Sequence, residues 1–348
     1  MRQGRHIVLC SAAFLCGDLL GGWFPLPAFY YLFLALGCTA CTLFWRRSAL
    51  ILLTFLLLGA TAVQTARLPG RTSVQGWMEL RCHAAQQACA RRLETLLPGV
   101  SERAVVKALA LGDKQELDRI TKRNYRSSGA SHLLALSGLH VGILYTLLVF
   151  LFFPFGGNPR LRKIRSLAVL GFLWFYALLS GMSSSISRSV LMITLYEGAS
   201  LANRPRDGWN ALAISALLIT LFHPEAPREI GFQLSFSACI GIFGLYPRLK
   251  GLLRTRLQPL AAIWKGAALA ISCQAATFLP VWLYFRSFPR YFLITNLLTL
   301  PLVTATLYLT ALTLLASTTG APAGLPAELL QGVVRLLNRV VAQIAALS

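Results

Sequence analysis

Between Arg126 and Arg160 the chain carries no Asp, Glu, Lys or Arg, yet the stretch is not a plain greasy helix. It contains SHLLALSGLHVGILYTLLVFLFFPFGGN, with His132, Ser137 and His140 near its start. An apolar span of about 20 residues crosses ~30 Å of hydrocarbon. Polar and ionisable groups at that depth are costly and face a bundle interior or a water-filled path. Backbone polar groups in lipid must also be satisfied internally, which limits such a chain to helices or closed barrels. Apolar runs of this length select helices.

The rest of the chain agrees. It has 348 residues, of which 56% are hydrophobic and 13% charged, and its mean hydropathy is +0.62. Soluble domains carry about 25% charged residues. The expected fold is all-α, a polytopic membrane protein with about ten spans. They fall near residues 7–22, 27–44, 49–63, 132–153, 166–182, 186–202, 209–222, 230–246, 263–283 and 292–316. Lys and Arg number 33 against 12 Asp and Glu, a net charge of +21.

Such a charge attracts polyanions, but it also orients membrane loops. One set of short loops holds Arg2, Arg5, Arg46, Arg47, Arg160, Arg162, Lys163, Arg165, Arg204, Arg206, Arg248, Lys250, Arg254 and Arg256. The alternate loops hold only Arg228, Arg286 and Arg290. This asymmetry places the N-terminus inside, so net charge alone is weak evidence for a nucleic-acid partner.

Residues 65–131 then lie outside. Up to about Leu97 the segment has little pattern. Beyond it, the helical pattern runs to Leu111 and breaks at Gly112 and Asp113. Lys114, Arg119, Lys122, Arg123 and Arg126 follow, on the side where positive charge is not required. They mark either a solvated helix face partly neutralised by Glu116 and Asp118, or the entrance for an anionic substrate. Cys82 and Cys89 are too far apart for a disulfide if their segment is one helix, roughly 10 Å by helical rise. The C-terminal run from Ala327 reads as an amphipathic interfacial helix.

Several spans carry one amide or hydroxyl cluster: Ser137 with His132 and His140, the serines around Arg188, Gln233, Gln274 and Asn296. As a set they suggest a shared polar interior. Gly138 and Gly142 form a small-residue pair that admits a close helix neighbour. Gly138 alternatively breaks the helix beside a cavity. Ser137 and His140 also form a conceivable nucleophilic pair, without an evident third group to orient it. Within the spans Glu197 stands out as the acidic residue, which argues against a proton- or sodium-coupled carrier. No metal-ligand pattern and no phosphate loop is present, so neither metal nor cofactor is expected, and no catalytic residue is assigned.

In order, the segments LALGDKQEL, YRSSGASHLLALSGLHVGIL, SSISRSVLM, EIGFQLSFSACIGIFGLYP, QAATFLP and TNLLTLPL resemble the ComEC family of bacterial competence proteins. The likeness covers roughly residues 101–302. It implies a channel in the bacterial inner membrane that passes single-stranded DNA inward during natural transformation; no enzymatic activity is expected of this chain. It carries over to His132, Ser137, Gly138, His140, Arg188, Gln233 and Asn296; Gln274 joins them as the expected polar path, with Lys122, Arg123 and Arg126 at the entrance. At Ser189 the family commonly has a small apolar residue. Single-stranded DNA and membrane lipids are the implied partners, with a DNA receptor, cytoplasmic translocation proteins and a second copy of the chain as further candidates. The expected division is a membrane anchor over 1–64, a short extracytoplasmic segment over 65–100, the competence-type core over 101–326 and the C-terminal helix over 327–348. Family members often add an OB-like and a metallo-β-lactamase-like domain, and neither is expected here. The alternatives are an inactive or accessory membrane protein and a small-molecule or lipid transporter.

Overall fold

Long uncharged runs leave the backbone no partner but itself, and the chain answers with helices. The computed structural model describes residues 2–23, 31, 34–35, 53, 55–60, 75–153, 158–253, 256–286, 291–319 and 323–347. Among these, every regular element is helical. The expected spans over 27–44 and 49–63 lie largely outside the described residues. The chain divides into two compact units, 1–73 with 191–243 and 74–190 with 244–348.

In the first unit, α1 (Arg2–Trp23) packs against α9 (Gly208–Phe222) and a 3₁₀ turn at Ala226–Arg228. Leu212, Ala216, Phe232 and Phe236 form its core, the last two from α10 (Ile230–Gly244) with rings stacked 4.0 Å apart. Asp18, which the sequence reading passed over, is buried in α1. Its carboxylate lies 3.9 Å from Arg228, whose guanidinium also donates to the Asp18 carbonyl at 3.0 Å. Buried Glu197 pairs with Arg206 at 2.6 Å. A charge in a buried helix survives only with a partner of this kind.

The second unit holds the polar motifs. Its helices are α2 (Gln75–Leu96), α3 (Val100–Leu111), α4 (Arg119–Ser127), α5 (Ser131–Leu134), α6 (Gly138–Leu151), α7 (Pro159–Leu179), α11 (Tyr246–Lys250), α12 (Gln258–Phe285), α13 (Phe292–Thr319) and α14 (Gly324–Ala346), with the first residues of α8 (Ser184–Leu201). One hydrophobic core joins Leu93 of α2 and Leu97 just after it, most of α3, Tyr125 of α4, Val303 and Leu307 of α13, and Leu330, Val334 and Leu337 of α14. The part of the seemingly patternless stretch from Gln75 to Leu96 is therefore a helix, α2, with its last turn in that core. Its mixed polarity hid the periodicity. Cys82 and Cys89 sit on this one helix, and Cys89 is free.

Three described helices, α12, α13 and α14, are long and apolar enough to cross a membrane, and residues 7–20, α6, α9 and α10 form shorter apolar helices. The structure thus supports a helical membrane protein without fixing ten spans. The C-terminal helix has one defined buried face. Ala327, Leu330, Val334, Leu337, Val341 and Ile344 form the buried stripe of α14, and α14 packs on α13, α3 and α4. That apolar face is occupied by protein.

Along α13, Thr299, Thr306, Thr310 and Thr313 are buried, and each hydroxyl donates to the carbonyl four residues earlier, at 2.7–2.8 Å. This internal bonding lets hydroxyls enter a core without an unpaired donor. Thr295 reaches outward instead and donates to the Ser128 carbonyl at 2.7 Å, tying the end of α4 to the start of α13.

Candidate functional site

The expected continuous span over 132–153 is broken. α5 ends at Leu134, Ala135 and Ser137 are extended, and α6 starts at Gly138. Ser137 is the N-cap of α6. Its backbone N–H donates to His140 Nδ1 at 3.3 Å, and its hydroxyl lies 3.0 Å from the same nitrogen. His140 thus takes the place that Glu or Gln fills in a capping box. The alternative that Gly138 breaks the helix is the one observed.

Partners fix the tautomers. His140 Nδ1 accepts, so a neutral ring carries its proton on Nε2, which is buried without a hydrogen-bond partner among the described residues. His132 Nδ1 faces the Gly129 carbonyl at 3.0 Å and must donate to it, leaving its Nε2 as an acceptor. His140 is fully buried, whereas His132 is exposed. The two rings are close enough to interact electrostatically. Asn296 of α13 lies beside His132, and its Oδ1 is buried without a hydrogen-bond partner among the described residues. His132, Ser137, His140 and Asn296 therefore meet at the helix break. The Ser137–His140 contact is a helix cap: Nδ1 already accepts a backbone N–H, and no carboxylate among the described residues orients the far nitrogen.

Gly138 has a clear steric role. A Cβ there would stand 2.6 Å from Ser189 Oγ on α8, which donates to the Ser185 carbonyl at 2.9 Å. Beside Gly142 nothing described lies within 4 Å. Of the expected packing pair, Gly138 is the one that meets a close neighbour among the described residues. Gly138→Ala is expected to lower the thermal unfolding midpoint, by an overpacking cost of roughly 1–3 kcal/mol. Ser189→Ala in the same chain should restore most of it. Failure of the second substitution to rescue would remove this contact as the cause.

The other expected path residues are Arg188, Gln274 and Gln233. Arg188, 6% exposed, precedes Ser189 in α8. Gln274 of α12 lines a groove with Ile271, Ala275, Phe278 and Phe292. Gln233 belongs to the first unit, where its amide donates to the Pro227 carbonyl at 3.1 Å.

Upstream of the break stands the basic helix α4. Asp118 caps it, accepting the Thr121 N–H at 3.2 Å. Arg119, Lys122, Arg123 and Arg126 are exposed at i, i+3, i+4 and i+7, one face of the helix over about 10 Å. Tyr125 on the opposite face is buried and donates to Asn338 Oδ1 of α14 at 3.1 Å. No described acidic side chain pairs with the four cations. Glu116 instead bonds Lys107 at 2.5 Å and Arg103 at 3.2 Å, and Lys107, 2% exposed, also reaches Glu94 at 2.6 Å. Hydrogen bonding to Lys107 holds the Glu116 carboxyl below its ordinary range. Burial by itself would lower the Lys107 ammonium, but its bonds to Glu116 and Glu94 raise it on balance. Sequence reasoning missed this network; the i+13 and i+9 separations from Glu94 to Lys107 to Glu116 follow no helical spacing.

Comparison with known proteins identifies the same region. The family described as Competence protein matches residues 109–348. ComE operon protein 3 of Bacillus subtilis (strain 168) is 35% identical over 148 residues, 42% of this chain and 19% of that protein. Competence protein ComA of Neisseria gonorrhoeae is 33% identical over 141 residues, 38% of this chain and 20% of that protein. Recombination protein 2 of Haemophilus influenzae is 26% identical over 188 residues, 52% of this chain and 22% of that protein. Each match thus takes in about a fifth of the relative's length. No solved structure matches.

Proposed function

The chain belongs to the competence protein family, and on that premise we propose that it forms part of an inner-membrane path that carries single-stranded DNA inward during natural transformation. The observation that supports this reading is the unneutralised basic face of α4. The two carboxylates that could have quenched it, Glu116 and Asp118, are engaged elsewhere. A row of exposed cations over about 10 Å suits the backbone of an extended strand, whose binding is electrostatic and salt-dependent. α4 leads within a few residues to the polar cluster at the helix break. There the His140 Nε2–H and the Asn296 amide remain as donors, and none of the four side chains His132, Ser137, His140 and Asn296 is a carboxylate, which suits a phosphate chain. The chain binds and conducts the strand and performs no chemistry on it.

The test is made in a naturally competent host from which the gene has been deleted. Labelled DNA should still bind the cell surface but fail to reach the cytoplasm, and plasmid-borne wild-type chain should restore entry. Restoration by a His140→Ala, Arg188→Ala variant as efficient as by wild type would reject the polar path. Normal transformation of the deletion strain would reject the reading altogether.

Orientation follows the loop charges, with the N-terminus cytoplasmic. In a background lacking native cysteines, a cysteine near position 75 should react with an impermeant thiol reagent on intact cells, and one near position 162 should not. The reverse labelling would overturn the topology.

A further inference from the structure

On the flank of α4 facing α14 lies a cavity of about 240 Å³. Its polar lining comes from three helices: Ser101 of α3, Thr121, Asn124 and Tyr125 of α4, and Asn338 and Arg339 of α14. We infer that this cavity is a seat for a single phosphodiester group of a nucleic-acid strand, with Arg339 as its charged anchor. This rests on the proposed DNA path and adds a defined binding site to it.

The donor inventory carries the inference. Tyr125 donates its hydroxyl to Asn338 Oδ1, so the Asn338 amide keeps its N–H groups for an acceptor. Burial pushes the Tyr125 phenol upward, so it stays protonated and holds that orientation. Arg339 is exposed and makes no ion pair among the described residues. Its neighbour one turn back, Arg335, is by contrast spent on Glu102 at 3.0 Å. A guanidinium beside hydroxyls and amides, with no carboxylate in the lining, is a set of donors for one multivalent anion.

The class of anion follows from the walls. The two apolar lining residues, Val341 and Ala342, are small. They give no groove for acyl chains, which disfavours a lipid headgroup. Lys122, Arg123 and Arg126 stand on the other face of the same helix, about 10 Å away across it, so a strand attracted by them reaches the cavity around the side of α4. Neutral donors in a shaped pocket then fix the register of one phosphate, where the exposed cations only attract.

The test uses the full chain in nanodiscs of neutral lipid and a fluorescent oligothymidylate as probe, titrated at several salt concentrations. Arg339→Gln should weaken binding about 5- to 10-fold and lower the salt slope by about 0.7, the loss of one single-strand phosphate contact. Arg335→Gln should change neither, and matched unfolding midpoints show that both variants fold. Unchanged affinity and slope for Arg339→Gln, with dependence on Lys122, Arg123 and Arg126 intact, would overturn the seat and leave the proposed entrance standing. Absence of probe binding by wild type would overturn both. A variant that loses affinity for liposomes of anionic phospholipid but not for the oligonucleotide would assign the cavity to lipid and reject the inference.

Discussion

Neutralising Lys122, Arg123 and Arg126 together, each to Gln, is expected to abolish most DNA entry while the protein stays folded and membrane-inserted. These side chains are exposed and make no ion pair among the described residues, so their loss removes no structural contact. What they supply is field. If each neutralises one phosphate, the three together contribute about 2 to the salt slope of single-strand binding. Transformation should fall by at least about 100-fold, because this field both holds the strand and steers its arrival. The check is the number of transformants, alongside oligothymidylate affinity at two salt concentrations. Wild-type transformation with a triple variant of normal abundance would mean that the basic face of α4 serves another purpose, such as contact with anionic lipid.

The second large effect concerns stability and is asymmetric. Lys107 is 2% exposed, whereas the Glu94 and Glu116 side chains are 44% and 32% exposed. Replacing both carboxylates by Gln leaves an ammonium buried with no counter-charge, which costs roughly 3–5 kcal/mol. Replacing Lys107 by Met instead removes the buried charge and leaves two carboxylates that water can reach, so it should cost far less. Thermal unfolding of the solubilised chain distinguishes the two, and equal effects would show that the network is not organised around the buried ammonium.

The pH dependence follows from the same groups. Glu116 is held below its ordinary value of 4.5, so its share of stability is present above that value and is lost as pH falls through the lowered one. Lys107 is raised above 10.5, so its share is complete below 10.5 and is lost as pH climbs through the raised value. Between these limits the network should contribute a flat plateau.

The fold class needed no coordinates. A chain with so few charges and so many long apolar runs had to satisfy its backbone within helices, and the ends of α8, α9, α10 and α13 fall near the expected boundaries, whereas α7 and α12 begin earlier, at Pro159 and Gln258. The break after Gly112 was equally legible, and that residue does adopt a left-handed conformation, φ 77°, at the end of α3. The ordered motifs were enough to name the family. They also marked His132, Ser137, His140 and Asn296, because polar residues in an apolar run stand out by cost alone.

What the sequence left open was direction. Periodicity says which residues share a face, not what that face meets. The stripe on α14 from Ala327 to Ile344 fits lipid or protein equally well, and only the packing of α13, α3 and α4 against it decides for protein. The Gly138 and Gly142 spacing promised two close approaches, and α8 takes up one. Partner choice was hidden for the same reason. Glu116 stands nearer in sequence to Arg119 than to Lys107, yet the turn after α3 folds it back onto the buried ammonium. That tertiary choice leaves the basic face of α4 unpaired, and it follows from the cost of burying Lys107 without a counter-charge.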